Sequence, residues 1–313
     1  MRRLGLAVLI ATVVMAAAAD PASAAFRGRN GPITAVLIPT GIPGYDPLVS
    51  MRADGSRLRR LTAPGVSVEG SATSPDGRWI VFDKFTSADA AELWLMRANG
   101  TGRHRITSLG GRNLDPSWSP NGRWIVFARA VDGARTDLWV VRRDGAHPHL
   151  LLATADRDDT NPEYSPNGRR LAFTANVDLN SASVMLARAD GGGQRVLVAE
   201  STAQSGVSWA PNGGRLAFAG GPPTGSSIFT IQPNGQGLDQ LTGRGSNPPF
   251  DTSPSWSPNG RQIAFARTAC TTPACLVITE LIDVMRADGS HQRSLGHAAA
   301  GSFLSPSWGP APR

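Results

Sequence analysis

Four polar side chains recur at one position of a repeated sequence pattern, where they could together bind a ligand. Each lies five residues before a tryptophan or tyrosine: Asn113, Asp159, Gln204 and Asp251. Carboxylate and amide groups gathered in one place could bind a cation, a sugar or a basic segment of a partner. The alternative is a structural role, because such side chains also accept hydrogen bonds from loop N–H groups. Val68 and Phe303 occupy the equivalent positions of other repeats and interrupt the polar set.

Sequence signals for an enzyme are poor. The chain contains no G-x-S-x-G, H-E-x-x-H or Walker motif, which are the patterns of common hydrolase, metalloprotease and nucleotide sites. We therefore expect a non-catalytic binding protein without a cofactor or a metal site, although a channel cation is compatible with the polar set. The alternative is a hydrolase or lyase acting on a glycan or lactone, since an active site can be assembled from scattered single residues.

A short pattern recurs along the chain at nearly constant spacing. Residues 116–127 read PSWSPNGRWIVF, and 254–265 read PSWSPNGRQIAF. The residue before the proline of each turn marks the repeat at Ser74, Ser119, Ser165, Ala210 and Ser257, with spacings of 45, 46, 45 and 47 residues. A degenerate sixth copy occupies residues 307–310. Repeats of this length are typical of propeller blades or of helical repeats.

The local pattern within each repeat favours strands. A β-rich run such as 124–127 follows each turn, and a second run such as 138–141 comes next. Asn-Gly or Asp-Gly pairs follow the second runs and indicate hairpins, because both residues tolerate positive φ. In the SPNG turn, proline presets φ and glycine takes the left-handed position. Each repeat therefore contributes four strands, and no helical period is visible.

These repeats predict an all-β fold. We expect one six-bladed β-propeller with four-stranded blades that begin near residues 31, 77, 122, 168, 213 and 260. The first blade lacks a strand before Ile33, so we expect the C-terminal strand around Trp308 to join it and close the ring. The aromatic residues beside the turns are predicted to pack between blades, with stacking on a carbohydrate as the alternative. They are Trp118, Tyr164, Trp209, Trp256 and Trp308.

The repeat resembles that of the TolB family of WD-repeat-like propellers. Residues 118–122 (WSPNG) and 285–290 (MRADGS) carry the resemblance, which extends over about residues 30–310. The resemblance implies a propeller fold and is only weakly informative about function. TolB itself has an α/β domain ahead of its propeller, and we expect no such domain here, so the TolB partner is not carried over.

The N-terminus is predicted to be a signal peptide over residues 1–24, followed by a single propeller domain over 25–313. A basic start, an apolar run over 4–19 and an Ala22-Ser23-Ala24 cleavage motif support this prediction. A retained membrane anchor is the alternative. We expect a secreted or periplasmic (cell-envelope) monomer with no membrane span after cleavage.

In an exported protein, the closely spaced Cys270 and Cys275 predict a disulfide.

The loops of the two predicted propeller faces differ in their variability. The SPNG and Asp-Gly turns are nearly constant, whereas the loops on the opposite side, which we term the variable face, differ between repeats. They comprise residues 38–47, 84–92, 129–136, 174–182, 219–226 and 267–281. We expect this face and the channel mouth to bind a protein or a cell-envelope polymer, and we expect no nucleic acid.

The net charge of the chain is +7. The densest cluster of positive charge is Arg57-Leu58-Arg59-Arg60, which is either a solvated surface or a site that attracts anionic envelope polymers.

Overall fold

The computed structural model describes residues 27–39, 46–131, 135–178, 181–201, 205–221, 225–243, 250–270, 278–296 and 301–312. Within these residues the chain forms twenty-four strands and no helix, which confirms the all-β prediction. Accordingly, this part of the chain has no helix of the length and apolarity that a membrane span requires. The predicted signal peptide and Cys275 lie outside the described residues, and only the backbone of Cys270 is described. The predicted disulfide therefore stays a prediction.

Most strands are arranged in antiparallel groups of four that follow the chain. The first group contains β1 (Asn30–Ile38), β2 (Leu48–Met51) and β3 (Arg59–Arg60), together with the C-terminal strand β24 (Ser302–Pro310). The second group contains β4 (Ser71–Thr73), β5 (Trp79–Ser87), β6 (Ala90–Arg97) and β7 (His104–Arg105). The third contains β8 (Arg112–Trp118), β9 (Trp124–Ala130), β10 (Asp137–Arg142) and β11 (His149–Leu152).

The remaining strands repeat the same arrangement. One sheet contains β12 (Asp158–Tyr164), β13 (Arg170–Asp178), β14 (Ser181–Arg188) and β15 (Arg195–Ser201). The next contains β16 (Ser205–Trp209), β17 (Leu216–Gly220), β18 (Ser227–Ile231) and β19 (Asp239–Gln240). The last contains β20 (Phe250–Trp256), β21 (Gln262–Cys270), β22 (Ile278–Arg286) and β23 (Arg293–Ser294).

The sheets are mostly separate from one another. Four sheets have four strands each, whereas β4–β11 form one eight-stranded sheet. A single parallel pair, Ala91 with Arg112, joins β6 to β8 within that larger sheet, so it consists of two four-stranded groups that touch at one point. The C-terminal strand β24 pairs with β1, and Ile33 lies opposite Trp308. The two ends of the described chain therefore share one sheet.

The SPNG turns have the hydrogen bonds that their sequence predicts. In the turn that follows Trp118, the Gly122 N–H donates to the Ser119 carbonyl at 2.9 Å, and Gly122 has φ of +65°. The Ser119 hydroxyl accepts from the Trp124 N–H at 2.9 Å and donates to the Asn121 side chain at 2.8 Å. The serine and asparagine thus satisfy turn groups that would otherwise be unpaired, which explains why the pattern recurs.

The apolar core lies between successive sheets. Ile33 and Trp308 of the first sheet pack in one buried cluster with Ile282 and Val284 of the last. Val81 and Leu95 pack likewise with Phe127 of the following group. Further clusters of this kind lie between the other neighbouring groups. Each sheet therefore completes its core only by contact with the sheets beside it.

Replacing Trp308 with alanine is expected to destabilise the protein by about 3–5 kcal/mol, because a large buried side chain is lost and leaves a cavity. Trp308 is 3% exposed and packs against the last sheet. Urea unfolding measures the change. The matched control is Leu238→Ala at a side chain that is 55% exposed, which should change stability by less than about 0.5 kcal/mol. Equal losses in the two variants would contradict this role of Trp308.

Candidate functional site

The innermost strand of each group contributes to the lining of one cavity, which we term the central cavity. These strands contact one another in succession, β4 with β8, β8 with β12, β12 with β16, β16 with β20, β20 with β24 and β24 with β4. The cavity is lined by residues 70–73, 115–117, 161–163, 206–209, 253–256 and 305–308. Each segment lies just before an SPNG-type turn or its equivalent. The cavity is therefore built from the same position of every repeat.

A β-bulge directs side chains toward this cavity. Asp115, Asn161, Ser253 and Ser305 have φ of +52°, +48°, +51° and +48°. Each precedes a proline, and the ladder shifts register at this point, for example between Leu114 and Ser117. Asp and Asn tolerate this left-handed conformation better than most residues. Proline is also acceptable at a bulge because no ladder hydrogen bond is required there.

Side chains at the cavity wall accept hydrogen bonds from the next innermost strand. The Asp115 carboxylate accepts from the Asn161 N–H at 3.3 Å, and the Asn161 side-chain oxygen accepts from the Gly206 N–H at 3.4 Å. The Glu163 carboxylate accepts from the Trp209 N–H at 3.1 Å. These bonds join successive innermost strands around the cavity, where their β ladders do not pair.

In later repeats, a serine hydroxyl at the equivalent position accepts the corresponding hydrogen bond from the next innermost strand. The Ser208 hydroxyl accepts from the Trp256 N–H at 3.2 Å, and the Ser255 hydroxyl accepts from the Trp308 N–H at 2.9 Å. Glu163 occupies the position of these serines. The glutamate therefore keeps the structural bond and also adds a titratable carboxyl group to the cavity wall.

The cavity lining is acidic, although the whole chain is basic. Asp115 and Glu163 are the charged residues of the described lining, which contains no lysine, arginine or histidine. Burial raises the pKa of Glu163 to about 8 and that of Asp115 to about 6. Behind Gly70 lies Asp83, whose pKa burial raises to about 8, although it accepts bonds from the Glu69 and Gly70 N–H groups. The wall therefore holds carboxyl groups that take up protons near neutral pH.

Asn113, Asp159 and Asp251, the described members of the polar set singled out in the sequence, lie outside this lining. Asn113, Asp159 and Asp251 are fully buried, and Gln204 lies outside the described residues. The Asn113 amide donates to the Ala91 carbonyl at 2.8 Å. This contact between neighbouring groups matches the structural alternative. A ligand-binding role for the set stays a prediction.

Asp159 and Asp251 have arginine partners. Asp159 accepts from Arg157 Nε at 2.9 Å and from the Thr154 hydroxyl at 3.0 Å. Asp251 forms a two-point contact with Arg267, at 2.7 Å from Nε and 2.8 Å from Nη2. Each buried carboxylate thus has a cationic partner that compensates for its burial. These contacts fix loops at the variable face.

The repeated aromatic residues are buried between sheets. Their exposed fractions are 0% for Trp118, 7% for Tyr164, 4% for Trp209, 7% for Trp256 and 3% for Trp308. The indole of Trp118 donates to the Ala72 carbonyl of the preceding group at 3.0 Å. The indole of Trp209 donates likewise to the Glu163 carbonyl at 3.3 Å. The rings are therefore part of the contacts between sheets.

Sequence reasoning missed the cavity residues Asp115, Asn161 and Glu163. The available signal was a polar residue followed by proline within a predicted strand, as in Asp115-Pro116 and Asn161-Pro162. Proline in a central strand indicates a bulge, and a bulge changes which side chains share a face. Among the described residues, no group of three or more His, Cys, Asp or Glu side chains is arranged to hold a metal ion.

Comparison with known proteins identifies the family. Residues 44–312 match the family model of the TolB β-propeller domain. This chain belongs to the TolB β-propeller family. The chain has no significant match among curated protein sequences.

Solved structures share the fold of this TolB-family chain at low sequence identity. TolB from Acinetobacter baumannii is 20% identical, with a TM-score of 0.75 over 90% of this chain and 67% of that one. A chain of a nidogen/laminin complex is 13% identical, with a TM-score of 0.66 over 90% and 100% of the two chains. An oligogalacturonate lyase in complex with manganese is 14% identical, with a TM-score of 0.52 over 86% and 73%. At these identities the similarity establishes the fold alone.

Replacing Glu163 with glutamine is expected to weaken the dependence of stability on pH. The pKa of Glu163 is raised from 4.5 to about 8 in the folded state. The stability that this one group contributes is therefore fully present below the lower value, and it is lost as pH rises through the higher one. Glutamine does not titrate and keeps an oxygen for the Trp209 N–H. Across this window the free energy of unfolding should shift in favour of the variant by up to about 1.4 kcal/mol per pH unit.

Urea unfolding of both proteins at pH values from 5 to 9 tests this effect of Glu163. A second variant, Glu163→Ser, copies Ser208 and Ser255 at the same position of other repeats and should also show the weaker pH dependence. Parallel stability curves for wild type and both variants would show that this carboxyl group does not titrate differently in the folded state.

Proposed function

We propose that this TolB-family chain is an exported, non-catalytic binding protein that engages a partner through its variable face and the mouth of the central cavity. We further propose that its strand groups are the six blades of a closed ring, in which β24 completes the first blade. The pairing of β24 with β1 and the succession of contacts from β4 round to β24 and back to β4 support that arrangement.

The observation that carries the proposed function is a set of exposed apolar side chains on the variable face. They are Ile38, Val131, Val177 and Phe250, which are 36%, 41%, 44% and 38% exposed. They come from the first, third, fourth and last strand groups. Ile38, Val131 and Val177 belong to variable loops, and Phe250 pairs with Thr268 of another. Exposed apolar groups gathered on one face are typical of a surface that another protein covers.

The cavity adds a polar component to the proposal. Its wall presents Asp115, Asn161 and Glu163, which offer oxygen acceptors. A protein partner that covers the face with apolar groups and inserts a polar or basic segment at the cavity mouth fits this chemistry. Arg267, the first residue of the variable loop 267–281, forms ion pairs with both Asp251 and Asp283.

The proposal includes the location and assembly expected from the sequence. A signal peptide over residues 1–24 would deliver the protein to the cell envelope or the exterior as a monomer. There, Cys270 and Cys275 would form a disulfide in the longest variable loop. The lyase or hydrolase alternative rests on the fold that this chain shares with an oligogalacturonate lyase, and no arrangement of described side chains favours it.

A pair of matched variants tests the proposed face. The face variant replaces Val131, Val177 and Phe250 with serine. The control variant replaces Leu150, Val196 and Leu238 with serine, at side chains that are 47%, 51% and 55% exposed on the outermost strands or the turn beside them. Exposed substitutions of this kind change stability by about 0.5 kcal/mol or less, so both proteins should fold.

Each protein, produced without residues 1–24, is mixed with a cell-envelope extract, and the retained proteins are identified by mass spectrometry. We expect a partner that wild type and the control variant retain and that the face variant loses by at least about tenfold, which corresponds to about 1.4 kcal/mol. Retention by the face variant, or equal loss from both variants, would place binding elsewhere and overturn the proposal.

A further inference from the structure

The positive charge of this protein is concentrated at the outer edge of the first two strand groups. Residues 52–60 contain four arginines and one aspartate, a net charge of +3, and residues 97–105 contain three arginines and no carboxylate, also +3. Together they account for +6 of the net charge of +7. The equivalent segment of a later repeat, residues 232–240, has one aspartate and no basic residue.

The structure joins these two segments into one surface. Arg59 donates to the carbonyls of Ala98 and Asn99 in the next group, at 3.4 and 3.3 Å. In the opposite direction, Arg103 donates to the Leu61 carbonyl at 2.8 Å. We term this surface the basic rim, and its members are all exposed: Arg57, Arg59, Arg60, Arg103, His104 and Arg105.

Among the described residues, Arg57, Arg59, Arg103 and Arg105 of the basic rim lack the carboxylate partner that turn arginines of later repeats have. Arg59 and Arg103 bond to neutral carbonyls, which position the guanidinium groups but leave their charge in place. Within the described part of the chain, Arg57 and Arg105 form no ion pair. In later repeats, turn arginines pair with aspartates, as Arg142 does with Asp144 at 3.0 Å and Arg188 with Asp190 at 3.2 Å.

Arg57 also adopts an unfavourable backbone conformation. Its φ is +57°, and the equivalent residues of three other repeats, Gly102, Gly193 and Gly237, have φ of +65°, +61° and +63°. A glycine adopts this conformation without the steric cost that a side chain incurs. His147 and His291 occupy the same position in the two remaining repeats, with φ of +54° and +55°, so the fold accepts either a glycine or a side chain here, and a glycine can replace Arg57.

We propose that the basic rim binds an anionic polysaccharide. Arginine forks match carboxylate groups in two-point contacts, and a linear polymer can engage several of them at once. The exposed hydroxyls of Ser56 and Thr101 donate to the side chains of Asp54 and Asn99 at 2.6 and 2.7 Å, and their oxygens can still accept from sugar hydroxyls. The two segments contain no Phe, Tyr or Trp, so they lack the aromatic stacking groups of single-stranded nucleic-acid sites. The rim is distinct from the variable face and does not depend on the proposed partner there.

The fold provides substitutions that remove the charge and keep the structure. Arg57→Gly copies Gly102, Arg103→Gln copies Gln292, and Arg105→Gln copies Gln240 at equivalent positions. Gln292 donates to the Leu241 carbonyl at 3.3 Å, just as Arg103 donates to that of Leu61. The control variant, with Arg142, Arg188 and Arg286 each changed to Gln, removes the same number of charges from other repeats. Gln232 occupies the equivalent position of a further repeat, so the fold accepts glutamine there.

Binding of the full mature chain to fluorescent alginate, a carboxylate-bearing polysaccharide, tests the proposal by titration at low salt. Wild type should bind alginate but not neutral dextran, and added salt should weaken binding by screening. The rim variant should bind about tenfold more weakly, because three exposed charge contacts are lost. The control variant should remain within about twofold of wild type.

The urea midpoint of the rim variant should equal or exceed that of wild type, because glycine relieves the strain at position 57. Equal loss of binding in the two variants would show that net charge alone attracts the polymer and would overturn the proposal. Absence of alginate binding by wild type would also overturn it. Tighter binding of duplex DNA than of alginate, lost in the rim variant, would assign the rim to nucleic acid instead.

Discussion

Each strand group of this protein can bury its faces only against the groups on either side, and the rest of the structure depends on that constraint. A four-stranded sheet alone would leave its apolar faces exposed to water, so other elements must cover them. Here the buried clusters, such as the one containing Ile33, Ile282 and Trp308, take their members from neighbouring sheets. The near-constant repeat length follows, since every group must present the same surfaces to its neighbours.

Because of this packing, some parts of each repeat can vary in sequence and others cannot. Residues that contact the next sheet, such as Trp118 and Trp209, are held by burial and by hydrogen bonds across the groups. The loops of the variable face differ in sequence between repeats, as surface loops can without disturbing the core. The exposed apolar side chains there are consequently informative about binding, because the fold does not require them.

The sign of the charged side chains also depends on whether a strand is innermost or outermost in its group. At the innermost strands, the acidic residues Asp115 and Glu163 accept hydrogen bonds from backbone N–H groups of the next strand. Burial raises the pKa of both groups because it disfavours the charged form. At the outermost strands, side chains are exposed and arginines collect on two adjacent groups. A basic molecule thus encloses an acidic cavity, and the two regions suit ligands of opposite charge.

The sequence by itself determined the local structure. Its SPNG and Asp-Gly turns, β-rich runs and regular spacing predicted the all-β fold, because turn chemistry and the two-residue period of a strand are local properties. The pairing of the C-terminal strand with the first group was predicted because the first repeat lacks one of its four strands. Only the tertiary structure decided which polar residues face the cavity. The bulges at Asp115 and Asn161 interrupt that period, so residues three before the aromatic line the cavity while Asn113 and Asp159 are buried behind it. The basic rim likewise required the fold, since hydrogen bonds between groups bring together arginines more than forty residues apart.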